Sequence, residues 1–199
     1  MSPAHVLEPT YDALRRRLLG GAWPSGYRLE AARLAAEFGV SITPVRDSLN
    51  RLTGEQLVHS SPGDGFQVPR VDETELCAML DWHHALIRLA LTWPGAGERA
   101  ILLPKGHNGI ATRTALLFVA AAGVAENSEL EQAVGSATAK LNRYRLREDE
   151  VLTDVTKELD SIEALIRADD RAELLKIVGE YHCRRCDAAA RLVRFTYST

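Results

Sequence analysis

The stretch FGVSITPVRDSL, residues 38–49, decides how this chain is read. Gly39-Val40-Ser41 is a tight turn, and Thr43-Pro44-Val45-Arg46 has the make-up of a first helical turn. Short polar side chains and one arginine sit where that helix begins. A helix that enters the major groove of DNA presents its N-terminal residues to the base edges, so this tip suits a nucleic-acid groove. Ile42, β-branched and unable to hydrogen-bond a base, stands in the middle of it.

The sequence on either side supports a helix-turn-helix. Over residues 10–21, Tyr11, Leu14, Leu18 and Leu19 recur at helical spacing, with Thr10 as a cap and Gly20-Gly21 as a stop. Pro24 and Gly26 bend the chain, and Leu29 re-enters the core. A short helix over residues 30–38 places Leu34, Ala35 and Phe38 on one face. The turn at Gly39 leads into a second helix from about Ser41 to Thr53, which buries Val45, Leu49 and Leu52. QLVHSSPGDGFQVPRV, residues 56–71, alternates and breaks at Pro62-Gly63-Asp64-Gly65, which reads as a β-hairpin. Three helices and a hairpin make a winged helix-turn-helix. Packing by Leu34, Ala35, Phe38, Val40, Val45 and Leu49 leaves Ser41, Thr43 and Arg46 facing out. Asn50 lies one turn beyond Arg46. Hydroxyls and free backbone N–H groups at a helix start suit phosphates, and Arg46 can pair with guanine or clamp a phosphate. Arg28, Arg33 and Arg51 can add backbone contacts.

After Pro69 the pattern becomes helical throughout. DETELCAMLDWHHALIRLALTW, residues 72–93, opens with Asp72 and Glu75 at capping-box spacing and continues as a long amphipathic helix. Residues 94–112 show no sustained period and read as an irregular loop. Helices are expected over about 113–125, 128–147 and 150–167, and one more from about 170 to 195 after the Asp169-Asp170 break. The expected fold is mainly α: a winged helix-turn-helix over residues 1–70, then an all-helical bundle over residues 71–199.

Composition sets the remaining bounds. The chain has 199 residues, 46% hydrophobic and 26% charged, which fits a folded soluble protein. No run is long enough to span a bilayer, and the start lacks the pattern of a signal peptide. Three cysteines, Cys77, Cys183 and Cys186, suggest a reducing, cytoplasmic setting. Residues 1–70 carry 8 Arg and 7 acidic residues, while the whole chain is at −3. Nucleic-acid binding must therefore rest on where the arginines sit rather than on bulk charge. Nucleophile arrangements, phosphate-binding glycine loops and paired-carboxylate motifs are lacking, so an enzyme is not expected.

Taken in order, Gly21, Pro24, Gly26, Leu34-Ala35, Gly39-Val40-Ser41, Thr43-Pro44-Val45-Arg46, Leu52, Gly63, Gly65, Phe66 and Val68 resemble the DNA-binding domain of the GntR family of bacterial transcription regulators. The helical half resembles the effector-binding, dimerising domain of the family's FadR-like branch. The resemblance implies a homodimer on a roughly palindromic operator, with the second helix in the major groove and the glycine wing tip near the minor groove. Ser41, Thr43, Arg46 and Gly65 are the contact positions it carries over. It departs at Ile42, where the family usually has arginine. Two readings stand for Ile42: contact with a thymine methyl, or packing on protein.

The FadR-like branch commonly holds a metal through an Asp and three His. Here the resemblance places those positions at Thr114, Phe118, Leu159 and His182, so no metal or other cofactor is expected. A small organic-acid effector is the ligand class that the resemblance suggests. His84, Asn142, Arg143 and His182 can line a small anionic pocket; the alternative is a satisfied core histidine with surface polar groups. His83 and His84 point to adjacent faces, so at most one of them faces inward. Cys183 and Cys186 read as buried structural cysteines, not a zinc or redox pair. The alternatives to an effector-modulated regulator are a ligand-independent dimeric DNA-binding module, or an enzyme or metal-binding protein with an incidental helix-turn-helix.

Overall fold

The computed structural model describes residues 4–61, 65–94 and 109–197. It divides into two compact units, one running to Val71 and including Thr196, the other Asp72–Phe195.

The first unit contains α1 (Ala4–Leu19), the short strand β1 (Arg28–Leu29), α2 (Ala31–Phe38), α3 (Ile42–Gly54), β2 (His59–Ser61) and β3 (Gly65–Gln67). The helix expected from residue 10 already runs from Ala4, so Thr10 is no cap: it is buried within the helix. Leu14, Val45, Leu49 and Leu52 are fully shielded from solvent, with Leu18, Leu29, Leu34, Ala35, Val58 and Val68 around them. Each of these valine and leucine side chains contributes about 1.5–3 kcal/mol relative to exposure. Phe38 and Val40 are only partly buried against this core. Ser48, also buried, satisfies its hydroxyl by donating to the Pro44 carbonyl at 2.7 Å.

The wing is a three-stranded antiparallel sheet in the order β1-β3-β2, one strand more than the expected hairpin. β1 adds Arg28 opposite Gln67 and Leu29 opposite Phe66. Two residues are too few to show a strand periodicity, which is why the sequence reveals only that Leu29 is internal. The expected hairpin tip at Pro62-Gly63-Asp64 lies outside the described residues.

The second unit is helical: α4 (Glu73–Leu91), α5 (Ile110–Ala122), α6 (Ser128–Arg145), α7 (Val155–Ala168), α8 (Arg171–Asp187) and, as far as Phe195, α9 (Ala189–Tyr197). The Asp72–Glu75 capping box forms in both directions, at 2.8 and 2.9 Å. Asn127 and Asp170 cap α6 and α8 by accepting from the Leu130 and Glu173 N–H groups. Most of the expected 94–112 loop, residues 95–108, lies outside the described residues, and residues 110–112 already belong to α5. The single helix expected to the end of the chain is two, α8 and α9, separated at Ala188, which leaves the helical conformation (φ −99°, ψ 2°). No Gly or Pro marks that break; Ala188 and Ala189 are both buried, so packing sets it. No helix among the described residues is long and apolar enough to cross a membrane.

Candidate nucleic-acid interface

Gly39 takes the left-handed conformation (φ 65°) at the end of α2, and its N–H closes onto the Ala35 and Ala36 carbonyls. That αL cap reverses the chain in two residues and delivers Ser41 as the extended N-cap of α3. The Ser41 side chain does not cap the helix, and the first turn carries no acidic residue. The first backbone N–H groups of α3 have no partner within the helix, and the positive end of its dipole lies there.

Ser41, Ile42, Thr43, Arg46, Asp47 and Asn50 are all exposed, while Val45, Ser48 and Leu49 turn inward. Ser41, Thr43, Arg46 and Asn50 have no intramolecular side-chain partner among the described residues. Ile42 is 43% exposed, so a large part of it faces solvent while the rest is shielded by the protein. Gly65 (φ 74°) lies exposed at the start of β3 with open space where a Cβ would stand.

The arginines of this unit fall into two groups. Arg17 and Arg33 both hold Glu37, at 2.8 and 3.2 Å, and Arg33 also donates to the Tyr27 hydroxyl. Hydrogen bonding from Arg17, first among the causes, holds the Glu37 carboxyl below its ordinary range. Arg51 pairs with Glu8 and Glu55 and lies 3.8 Å above the Tyr11 ring, and Arg15 also pairs with Glu55. Arg16 donates to the Asp12 carbonyl. Arg28, Arg46 and Arg70 remain exposed and without such a partner among the described residues. Arg28 and Arg46 are thus the expected contact arginines that stay uncommitted, whereas Arg33 and Arg51 are engaged within the fold. Asp47 and Arg70 escaped the sequence reading. Asp47 lies one helical turn after Thr43, on the exposed side, and that spacing was the available signal.

In the second unit the inward histidine is His83, not His84. His83 Nδ1 lies 2.7 Å from His182 Nε2, His83 Nε2 lies 3.0 Å from Thr138 Oγ1, and His182 Nδ1 lies 2.7 Å from the Val178 carbonyl. A carbonyl only accepts, so His182 Nδ1 carries the proton and its Nε2 accepts from His83 Nδ1–H. His83 Nε2 then accepts from the Thr138 hydroxyl, and both rings are neutral. Burial, reinforced by Arg145, pushes His83 well below its ordinary pKa. Burial likewise brings His182 to about 3. His84 is half-buried and stacks on His182 at 5.0 Å and 16°. The structure thus unites His84 and His182. Asn142 and Arg143 lie half-buried on α6, about one turn beyond Thr138.

The family metal does not fit these residues. Thr114 is buried with its hydroxyl donating to the Ile110 carbonyl, and Phe118 and Leu159 are buried hydrocarbon. Phe118 packs edge-on against His83 at 4.8 Å. Both nitrogens of His182 are already committed to hydrogen bonds, leaving no lone pair for an ion. Of the cysteines expected to be buried, Cys183 is exposed, because it follows the inward His182 by 100° around the helix. Cys77 and Cys186 are half-buried neighbours, the Cys77 thiol 3.8 Å from the Cys186 carbonyl, and burial pushes the Cys186 thiol up to about 12.

Three helices, an exposed polar tip at the start of α3 and a small sheet define the first unit as a winged helix-turn-helix, joined in sequence to an all-helical unit. Residues 8–68 match the model of the bacterial regulatory proteins, gntR family. The chain is similar to the HTH-type transcriptional regulator McbR of Escherichia coli (strain K12), 40% identical over 63 residues. That match spans 32% of this chain and 28% of the relative. The fold likeness extends further. A structure described as a transcriptional regulator GntR from Rhodococcus sp. RHA1 is 14% identical with a TM-score of 0.74, over 96% of this chain and 98% of that one. E. coli McbR/YncC is 17% identical with a TM-score of 0.65, over 93% and 97%.

Proposed function

We propose that this chain is a DNA-binding transcription regulator of the GntR kind, acting as a homodimer on a palindromic operator. One observation carries the reading: Ser41, Thr43, Arg46 and Asn50 surround an uncapped helix start and have no side-chain partner among the described residues. The buried polar side chains among the described residues of this unit are satisfied, so this idle polar surface is suited to an external ligand with phosphates and base edges. α3 enters the major groove, with Ser41, Thr43 and the free N–H groups on phosphate and Arg46 on a guanine edge or a phosphate. Ile42 lies against a thymine methyl. Arg28 and Gly65 approach the backbone from the wing, and Arg33 joins them after giving up its exposed pairing with Glu37, which is worth little. Two copies set their helices in half-sites one helical turn apart.

The helical unit belongs in this proposal to the FadR-like kind and serves dimerisation and response to a small effector without the family metal, the His84–His182 side being its recognition surface. An electrophoretic shift on the DNA upstream of the chain's own gene, run across a salt series, tests the regulator reading. A specific complex that weakens steeply with salt is expected. Absence of any sequence-specific shift at low salt would defeat it. Melting-point screening against small organic acids, with and without chelator, tests the effector part; a melting point that responds to chelator would contradict the metal-free reading.

A further inference from the structure

A second site lies in the core of the helical unit, on residues that the DNA reading does not use. Arg185 is buried at 2% exposure, and its guanidinium meets both Glu148 oxygens at 3.1 and 3.2 Å and Glu158 at 2.7 Å. Arg184 holds the other Glu158 oxygen at 2.8 Å. Two arginines and two glutamates thus form a closed quartet with no net charge. Arg145 is equally buried, at 2% exposure, and stands outside it. Both of its terminal nitrogens lack an aligned hydrogen bond, and no carboxylate among the described residues lies within ion-pair distance. Its guanidinium carbon lies 5.5 Å from the Phe118 ring centre, and Tyr181, His83 and His182 are close enough to feel its charge. The Tyr181 hydroxyl is also buried without an aligned partner. Burial holds this phenol protonated, so it supplies a donor and not a counter-charge.

Arg145 and Tyr181 line one cavity with Leu76, Leu80, Leu141 and Leu192, and the paired Glu148 and Arg185 of the quartet also reach it. Its volume is about 10 Å³, room for one body of about the size of a water molecule. A buried guanidinium without a counter-ion is costly, and the cavity is too small for an organic acid. We propose that Arg145 and Tyr181 bind a single halide-sized anion, chloride being the physiological one, which neutralises the arginine and ties α6 to α8. Occupancy makes the stability of the helical unit depend on halide concentration.

The test is the melting temperature of the full chain in sodium chloride, sodium bromide and sodium gluconate at equal ionic strength. A saturable rise of a few degrees in both halides, absent in gluconate, is expected. Arg145→Met removes both the charge and the halide dependence. Crystals soaked in bromide should show an anomalous peak beside Arg145 and Tyr181. Equal melting in all three salts, a halide effect that survives Arg145→Met, or a cavity holding water only would each overturn the proposal. If Arg145→Met does not fold, the salt comparison on the unmodified chain and the bromide peak decide it.

Discussion

His83 and His182 share a 2.7 Å hydrogen bond in the core of the helical unit, and the groups at either end of the pair fix the direction of every proton in it. The chain runs from the Thr138 hydroxyl through both rings to the Val178 carbonyl, so a further proton has no acceptor. Phe118 and Tyr181 pack around the pair, and Arg145 adds positive charge nearby.

The first prediction concerns pH. Both histidines are neutral when folded and regain an ordinary pKa near 6.5 when unfolded. Below that value the unfolded chain takes up protons that the folded chain refuses. Stability is therefore complete above about pH 6.5 and falls as the pH drops, by up to about 1.4 kcal/mol per pH unit for each histidine. For His182 the window extends down to about pH 3. Urea midpoints at pH 7.5 and 5.5 measure this. His182→Gln should be less stable at pH 7.5 but lose less on acidification; equal losses in both proteins would remove His182 as the source.

The turn before α3 gives the second. Gly39 has φ 65° and nothing within 4 Å of the position a Cβ would take. Gly39→Ala therefore meets no clash and costs only the left-handed backbone, about 1–2 kcal/mol. Gly39→Asn should cost less, since Asn tolerates that conformation. Thermal unfolding of the two variants reads the difference. An alanine variant as stable as the unmodified chain would mean that the αL cap is not needed to aim α3.

A third prediction separates buried from exposed charge. Arg185→Leu strands Glu148, 1% exposed, without its partner and should cost about 3–5 kcal/mol. Lys157→Ala removes a fully exposed pair with Asp154 and should leave the urea midpoint unchanged. Comparable losses from the two would show that the buried quartet is not a structural unit.

The legible and illegible parts of the chain differ for physical reasons. α2, α3, the Gly39 turn and the Asp72–Glu75 box were readable because each depends on residues within one or two turns, whereas the start of α1 was placed six residues late. The break at Ala188 was not, because alanine carries no preference for stopping and neighbouring helices impose the end. β1 was too short to have a period. At the start of α3, exposure of Ser41, Thr43 and Arg46 followed from which neighbours were apolar. The capture of Arg33 by Glu37 was within reach at i,i+4 spacing, but that of Arg51 by Glu8 joins residues 43 apart and needed the fold. For the same reason His84 looked as good as His83: a helical pattern shows that adjacent residues diverge, and only the position of α8 shows which one turns inward.

The last prediction returns to Ile42 and Arg46, which share the exposed start of α3 but differ in what they can do. Arg46 carries a charge with no partner among the described residues, so Arg46→Ala should weaken DNA binding about 10–100-fold, the range for losing a good arginine contact. If its contact is to phosphate, the loss is uniform across sequences and the salt slope drops by about one. If the contact is to guanine, the loss is confined to sites that carry that base. Ile42, 43% exposed, has only a methyl surface to offer. Ile42→Arg should move preference from thymine toward guanine at one position of each half-site while adding charge. Selection of bound sequences from a random pool, performed for the unmodified chain and both variants, distinguishes these effects. Identical selected sequences for Ile42→Arg and the unmodified chain would mean that residue 42 touches no base, leaving packing as its role.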